Sequence, residues 1–164
     1  MTRPRTALTC CVLALAAAGC GIRPTGVTAG GTAPSGISKS MRIYFVSDTG
    51  LRGVSRPGTK VDHFKLAYRL LVDGPTEEER ADGLANLVRP DKWVNVTARH
   101  GHVTIKTPGY AAGSPQDQST GQLVCTFARA EVLLHGTRPD KVQVTLVTGK
   151  EHAGPYQCQQ FLSH

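Results

Sequence analysis

The sequence predicts a small α+β domain, in which two main helices pack on one face of a mixed β-sheet. Three observations predict this class. The chain of 164 residues has room for one domain with its own core. It contains stretches of alternating apolar and polar residues, typical of strands, and stretches with helical spacing. These alternate along the chain without the long apolar strands of a doubly wound parallel sheet. We expect this domain to occupy residues 41–164, after a signal peptide and a flexible linker.

Residues 1–19 have the pattern of a bacterial signal peptide. Two arginines precede an uncharged run, Ala7 to Gly19, which is too short to span a bilayer as a permanent helix. The small residues just before Cys20 resemble the lipobox, in which the cysteine thiol receives a diacylglyceryl group. We therefore expect Cys20 to be lipidated. The alternative is a plain signal peptide cut after Ala18, which leaves Cys20 free.

Residues 20–40 have the composition of a tether. They are rich in Gly, Ser, Thr and Pro and have no apolar periodicity, so they do not bury enough surface to offset the entropy of ordering. A Gly-rich coil of about 20 residues has an end-to-end distance of roughly 25 Å. Two acyl chains on one cysteine meet the requirement for stable anchoring. The expected location is the outer side of the cytoplasmic membrane.

The cysteine count fits export. Of five cysteines, Cys10 and Cys11 leave with the signal peptide and Cys20 is the predicted lipid site. Cys125 and Cys158 remain, and an oxidising compartment favours a disulfide between them. Such a bridge closes a loop of about 34 residues and stabilises a fold by roughly 4 kcal/mol in the chain-entropy model. The alternative is a pair of buried thiols.

Two strands are predicted at the start of the domain. The segment "MRIYFVS", residues 41–47, alternates around Ile43 and Phe45 and ends at a turn. The segment "LRGVSR" that follows predicts a second short strand.

Two helices are predicted next. Apolar residues recur at helical spacing over residues 61–71, and Gly74 followed by Pro75 ends this helix. The following "TEEE" predicts a capping box between Thr76 and Glu79, which opens a short helix to about residue 84.

A hairpin and a long helix are predicted in the second half. Residues 93–99 and 102–107 alternate apolar with polar positions and are joined by His100 and Gly101, which predicts a β-hairpin. A polar loop leads to a helix over residues 120–134. The spacing of Ser119 and Gln122 predicts a capping box at its start.

The C-terminal part is predicted to return to this helix. The segment "KVQVTLV", residues 141–147, gives the clearest strand pattern in the chain. On the helix, Cys125 lies nearly opposite the stripe that contains Phe127. We therefore expect the sheet to cover the Phe127 side and a C-terminal tail, held by Cys158, to cover the other.

The order of these elements resembles the GerMN domain, a family named for sporulation and germination proteins and widespread in actinobacterial lipoproteins. The matching segments are "IYFV", "LLVDGPTEEERADGL", "VNV", "VTI", "QLVCTFA" and "VQVTLVTG". The most specific is "LLVDGPTEEE", Leu70 to Glu79. The resemblance covers about residues 41–150. It implies a small module that works in envelope assembly or signalling through protein contacts, and it supplies no catalytic motif.

The residues themselves predict no catalytic site, no metal site and no cofactor. His100 and His102 resemble a metal-binding pair, but they flank a hairpin turn and no Cys, Asp or Glu adjoins them. The chain has no Gly-x-Ser-x-Gly nucleophile elbow. Helix capping accounts for the acidic run Glu77 to Glu79.

The charge sets limits on the partners. Removing the two arginines of the signal peptide lowers the formal net charge from +7 to +5. No basic cluster is interleaved with aromatic residues, and export argues against nucleic acid. The expected partners are the membrane, through the diacylglyceryl anchor, and an envelope protein that this non-enzymatic module binds. The alternatives are a cell-wall hydrolase or wall-binding protein that uses the loop Pro108 to Gln118, and a lipid or glycolipid carrier.

Overall fold

The computed structural model describes residues 40–108 and 117–162, and these form a small α+β domain, as predicted. The strands are β1 (Met41–Ser47), β2 (Gly50–Arg56), β3 (Asn95–Arg99), β4 (His102–Lys106), β5 (Gln143–Thr148) and β6 (Glu151–Tyr156). The helices are α1 (Phe64–Val72), α2 (Glu77–Ala81), α3 (Gln118–His135) and α4 (Gln159–Leu162). None of the helices in these two ranges has the length and apolarity needed to cross a membrane. The predicted signal peptide, and the linker apart from Ser40, lie outside the described residues.

The strands are divided between two sheets. Strands β1 and β2 form an antiparallel pair, whereas the other sheet has the order β3-β4-β5-β6. The larger sheet is mixed, as predicted, because β4 and β5 are parallel and its other pairs are antiparallel. Strand β1 does not join the larger sheet, because α3 and the loop after α2 occupy the edge of β1 that β2 leaves open. Val46 exchanges two backbone hydrogen bonds with Ala85 there, at 2.8 and 2.9 Å.

Helix α3 lies at the centre of the domain. It packs against β1, β5 and α1. Residues 120–128 are all buried, so its first half is covered on every side, as expected for a core helix. A Cβ at Gly121 would lie 2.6 Å from the Leu51 side chain and 2.8 Å from that of Phe161, so any larger residue here would displace these two side chains. The close packing of β2 and α4 on α3 depends on this position.

The start of α3 corrects one prediction. The N-cap is Asp117, whose carboxylate accepts a hydrogen bond from the Ser119 amide at 3.0 Å, so the predicted box between Ser119 and Gln122 is wrong. The Asp117 carboxylate reaches the first free amides of the helix, whereas Gln122 is fully buried in the core. The capping box of α2 is confirmed: Thr76 and Glu79 each accept the other's amide hydrogen bond, at 3.2 and 2.9 Å.

The C-terminal tail contains a strand that the sequence pattern does not reveal. Strand β6 pairs antiparallel with β5 and forms the edge of the larger sheet. Its residues, "EHAGPY", do not alternate, and Pro155 lacks the amide that an inner strand needs but an edge strand does not.

A disulfide joins the tail to α3, as the cysteine count predicts. Cys125 and Cys158 are bonded, with their Cα atoms 4.6 Å apart. Cys125 is buried. Phe161 of α4, which follows shortly after Cys158 in the chain, is buried as well. The tail therefore covers the Cys125 side of the helix.

We expect replacement of both Cys125 and Cys158 by alanine to lower the free energy of unfolding by about 4 kcal/mol, because the unfolded chain loses a cross-link. Denaturant unfolding of the double variant and of the reduced wild type measures this loss, and the two should agree. Finding both cysteines as free thiols in unreduced, unfolded protein would contradict the bridge.

A second prediction concerns acid stability. Arg56 donates hydrogen bonds to both carboxylate oxygens of Glu79, one of them at 2.8 Å. These bonds hold the pKa of Glu79 below its ordinary value of 4.5, although burial opposes the shift. A carboxyl group with a lowered pKa stabilises the fold above its unfolded pKa, and that stability is lost as the pH falls through the lowered value.

The Glu79→Gln variant should therefore be less stable than wild type at pH 7, and the difference should shrink as the pH falls below about 4. Thermal unfolding across this range measures it. Glu77→Gln is the matched control, since it changes the same charge on the same helix. An identical acid dependence in both variants would contradict a specific contribution from the Arg56 pair.

Candidate functional site

The loop of residues 84–94, here called the Trp93 loop, is held in place by the buried side chain of Gln122 and the half-buried side chain of Asn86. The amide oxygen of Gln122 accepts a hydrogen bond from the Leu87 backbone at 2.8 Å, and its amide nitrogen donates to the Asn86 side chain at 3.2 Å. Asn86 in turn donates to the Leu71 carbonyl at 2.7 Å. These bonds tie the loop to α3 and α1 although it has almost no regular secondary structure.

The second half of the Trp93 loop is held around Asp91. The Asp91 backbone amide donates to the Tyr68 hydroxyl at 2.6 Å. The Asp91 carboxylate accepts hydrogen bonds from the Trp93 backbone at 2.9 Å and from the Thr107 hydroxyl at 3.2 Å. Burial raises the pKa of the Tyr68 hydroxyl, so this group keeps its proton at neutral pH. The loop is thereby fixed to α1 and to the end of β4.

This ordered loop presents large apolar side chains to solvent. Trp93 is 68% exposed and Leu87 is 50% exposed. The Lys92 ammonium lies 5.5 Å from the centre of the Trp93 ring, a cation–π contact. Tryptophan is enriched among the residues that contribute most to protein interfaces, and exposed apolar patches often mark them. The Trp93 loop therefore has the character of a contact surface.

A groove of about 640 Å³ lies beside the Trp93 loop. Its walls are α1, the start of β3 and the C-terminal end of α3. Its apolar side chains are Phe64, Val94, Val96 and Leu134. Phe64 is also packed on the core, with its ring centre 6.1 Å from that of Phe127. The groove thus has an apolar floor that the core holds in position.

Charged groups surround this floor. Asp62 is hydrogen-bonded to His63, and the Asp91 carboxylate has the contacts given above. Lys65 and Lys92 also line the groove and make no ion pair within the described residues. The two carboxylates thus use hydrogen-bonding capacity within the protein, whereas neither ammonium group is held in an ion pair there, so an acidic side chain of a ligand has a charged partner at the rim.

His135 reaches the groove from the end of α3. Its Nδ1 lies 2.6 Å from a carboxylate oxygen of Glu131, and Thr137 donates a hydrogen bond at 2.9 Å to the other oxygen. Glu131 is buried, and a buried carboxylate requires such partners. The pair fixes the His135 ring beside that of Phe64, 6.0 Å away between centres.

The two histidines considered from the sequence lie elsewhere. His100 is at the hairpin turn, and His102 is exposed on β4 at a position that alternates with the buried Val103. Val96 of the groove pairs with Ile105, so its side chain is on the opposite face of the sheet from His102. Across the described ranges, no three His, Cys, Asp or Glu residues are grouped to hold a metal ion. Residues 109–116 of the polar loop considered for a hydrolase lie outside those ranges.

A second cleft, of about 460 Å³, adjoins the Cys125–Cys158 disulfide. The guanidinium of Arg129 lines it and donates hydrogen bonds to the Ser40 carbonyl at 2.7 and 3.2 Å. Burial, and the nearby charge of Arg42, lower the pKa of Arg129. This side chain holds the end of the predicted linker against α3. The predicted lipid site, Cys20, lies outside the described residues.

Gln122 should be required for the order of the Trp93 loop. Replacing it by alanine leaves the Leu87 amide and the Tyr44 carbonyl without their partner. We therefore expect the free energy of unfolding to fall by about 2–4 kcal/mol. Hydrogen exchange at Leu87 should also accelerate. Gln118→Ala, an exposed change in the same helix, is the control. Equal exchange rates at Leu87 in the two variants would contradict this role.

Comparison with known proteins gives no family for this chain: no protein-family model, no curated protein and no solved structure matches it.

Proposed function

We propose that this protein is a lipoprotein, anchored through Cys20 to the outer side of the cytoplasmic membrane, whose domain binds another envelope protein without catalysing a reaction. Its resemblance to the GerMN domain supports a role in envelope assembly or signalling. The observation that carries the proposal is the exposed Trp93 on a loop that hydrogen bonds from the buried Gln122 and from Asp91 hold in place.

A large aromatic side chain on an ordered loop suits protein binding for two reasons. Its burial removes much apolar surface from water, which is the main favourable term in association. Binding also costs less conformational entropy when the loop is already fixed, as it is here through Gln122 and Asp91. The Trp93 loop and the groove beside it therefore form the proposed binding surface.

The anchoring half of the proposal rests on the residues around Cys20 and on the disulfide. Disulfides persist in oxidising compartments outside the cytoplasm, and Cys125 and Cys158 form one here. Two chemical features of the chain, the lipobox-like segment and the paired cysteines, thus favour the same location.

The proposal is tested by affinity capture of the full-length, tagged protein after chemical cross-linking in intact cells. Wild type should remain in the membrane fraction and retain a cross-linked envelope protein. Trp93→Ala should stay in the membrane and lose most of that product, because the central aromatic contact is gone. Cys20→Ser should move to the soluble fraction.

Leu162→Ala is the matched control, since Leu162 is 40% exposed but lines the cleft at the disulfide and not the groove beside the Trp93 loop. This variant should retain the cross-linked partner. Equal loss in both variants would contradict a binding surface at the Trp93 loop. An unmodified Cys20 by mass spectrometry of the native N-terminus would contradict the anchor.

A further inference from the structure

Strand β3 has an open edge. It is the first strand of the sheet β3-β4-β5-β6, and within residues 40–108 and 117–162 no strand pairs with its second side. The β3–β4 turn has two residues, so Arg99 and His102 form the hydrogen-bonded pair that closes it. Hydrogen-bonded pairs alternate with non-hydrogen-bonded pairs along antiparallel strands. The backbones of Asn95 and Thr97 therefore face β4 too.

It follows that the residues between Asn95, Thr97 and Arg99 direct their backbone groups away from β4. The N–H and C=O of Val96, and those of Ala98, point toward the open edge. An open strand edge is a template for pairing with another chain. The position of Val96 is important because its side chain also lines the groove described above.

Helix α1 forms the opposite wall of this groove and does not close it. Phe64 and Tyr68 line the groove from α1, while α1 itself packs against β1 and α3. A groove between a free strand edge and a helix is suited to an extended peptide, because the strand supplies main-chain hydrogen bonds and the walls receive alternate side chains. The five residues of β3 match an added strand of about 17 Å.

We propose that the groove binds an extended segment of a partner protein, which adds as a strand to the open edge of β3. Its alternate side chains contact the apolar floor, and an acidic side chain meets Lys65 or Lys92 at the rim. This inference rests on the proposed function and names the chemistry of the partner. A second copy of this chain fits less well, because its own β3 (Asn95–Arg99) carries no acidic residue to meet these lysines.

The probe is a linear peptide selected on the full-length protein from a random heptapeptide display library, then synthesised with a fluorescent label. We expect the selected sequences to contain acidic residues and alternating β-branched or aromatic residues. Affinity is measured by fluorescence anisotropy. An N-methyl scan of the peptide should weaken binding about tenfold or more at every second amide, since only alternate amides face β3.

Variants of the protein test the same geometry. Val96→Pro removes an edge amide that β4 does not use, and proline is tolerated on edge strands, so binding should fall about tenfold while the fold is kept. Lys65→Glu should weaken binding of the acidic peptide about fivefold or more, and Lys150→Glu, the same charge change on the β5–β6 turn, should not. Thermal unfolding shows whether each variant is folded.

The outcomes separate this inference from the proposed function. If no peptide is selected, or if N-methylation has no alternating effect, strand addition is wrong, while cross-linking that depends on Trp93 still supports the proposed function. If sedimentation shows a dimer that Val96→Pro dissolves, the edge pairs with a second copy and the inference is overturned. If peptides bind with the alternating pattern but no envelope protein is captured, strand addition is supported and the proposed function is contradicted.

Discussion

The structure depends on the hydrogen bonds by which the buried amide of Gln122 joins α3 to two other segments. The side chain is fully buried, and it bonds the Tyr44 carbonyl of β1, the Leu87 amide and the Asn86 side chain, at 3.0, 2.8 and 3.2 Å. A buried polar group is costly unless its partners are present. Both of its backbone partners are in place only when β1, α3 and the Trp93 loop have their native positions, so this one side chain favours a single arrangement of all three.

The same bonds connect the core to the proposed binding surface. Thr126, one helical turn after Gln122, accepts a hydrogen bond from the Tyr44 amide, so α3 side chains occupy the β1 edge that would otherwise extend the sheet. With that edge used, the chain crosses to the Trp93 loop and begins a separate sheet at β3. Helix α3 thus holds both the second edge of β1 and the Trp93 loop.

Features that depend on neighbouring residues were predictable from the sequence. The β3–β4 hairpin, the α2 capping box and the α+β class have local signals. The pairing of Cys125 with Cys158 was predicted from the number of cysteines and from the expected oxidising compartment. Features that depend on distant residues were not predictable in the same way. Gln122 looked like a capping residue because its partners, Tyr44 and Leu87, are remote in sequence. The strand β6 has no alternation, and the groove is formed by three elements whose spacing no local pattern encodes.

The bond between Arg129 and Ser40 has a mechanical consequence for a tethered domain. In the anchored protein that we propose, a load along the linker would reach the domain at Ser40, next to the first residue pair of β1 and β2, Met41 with Arg56. Arg129 of α3 donates hydrogen bonds to the Ser40 carbonyl, and the disulfide at Cys125 links the same helix to the C-terminal tail. Part of such a load would therefore pass to the central helix before it reaches the pairing of β1 with β2.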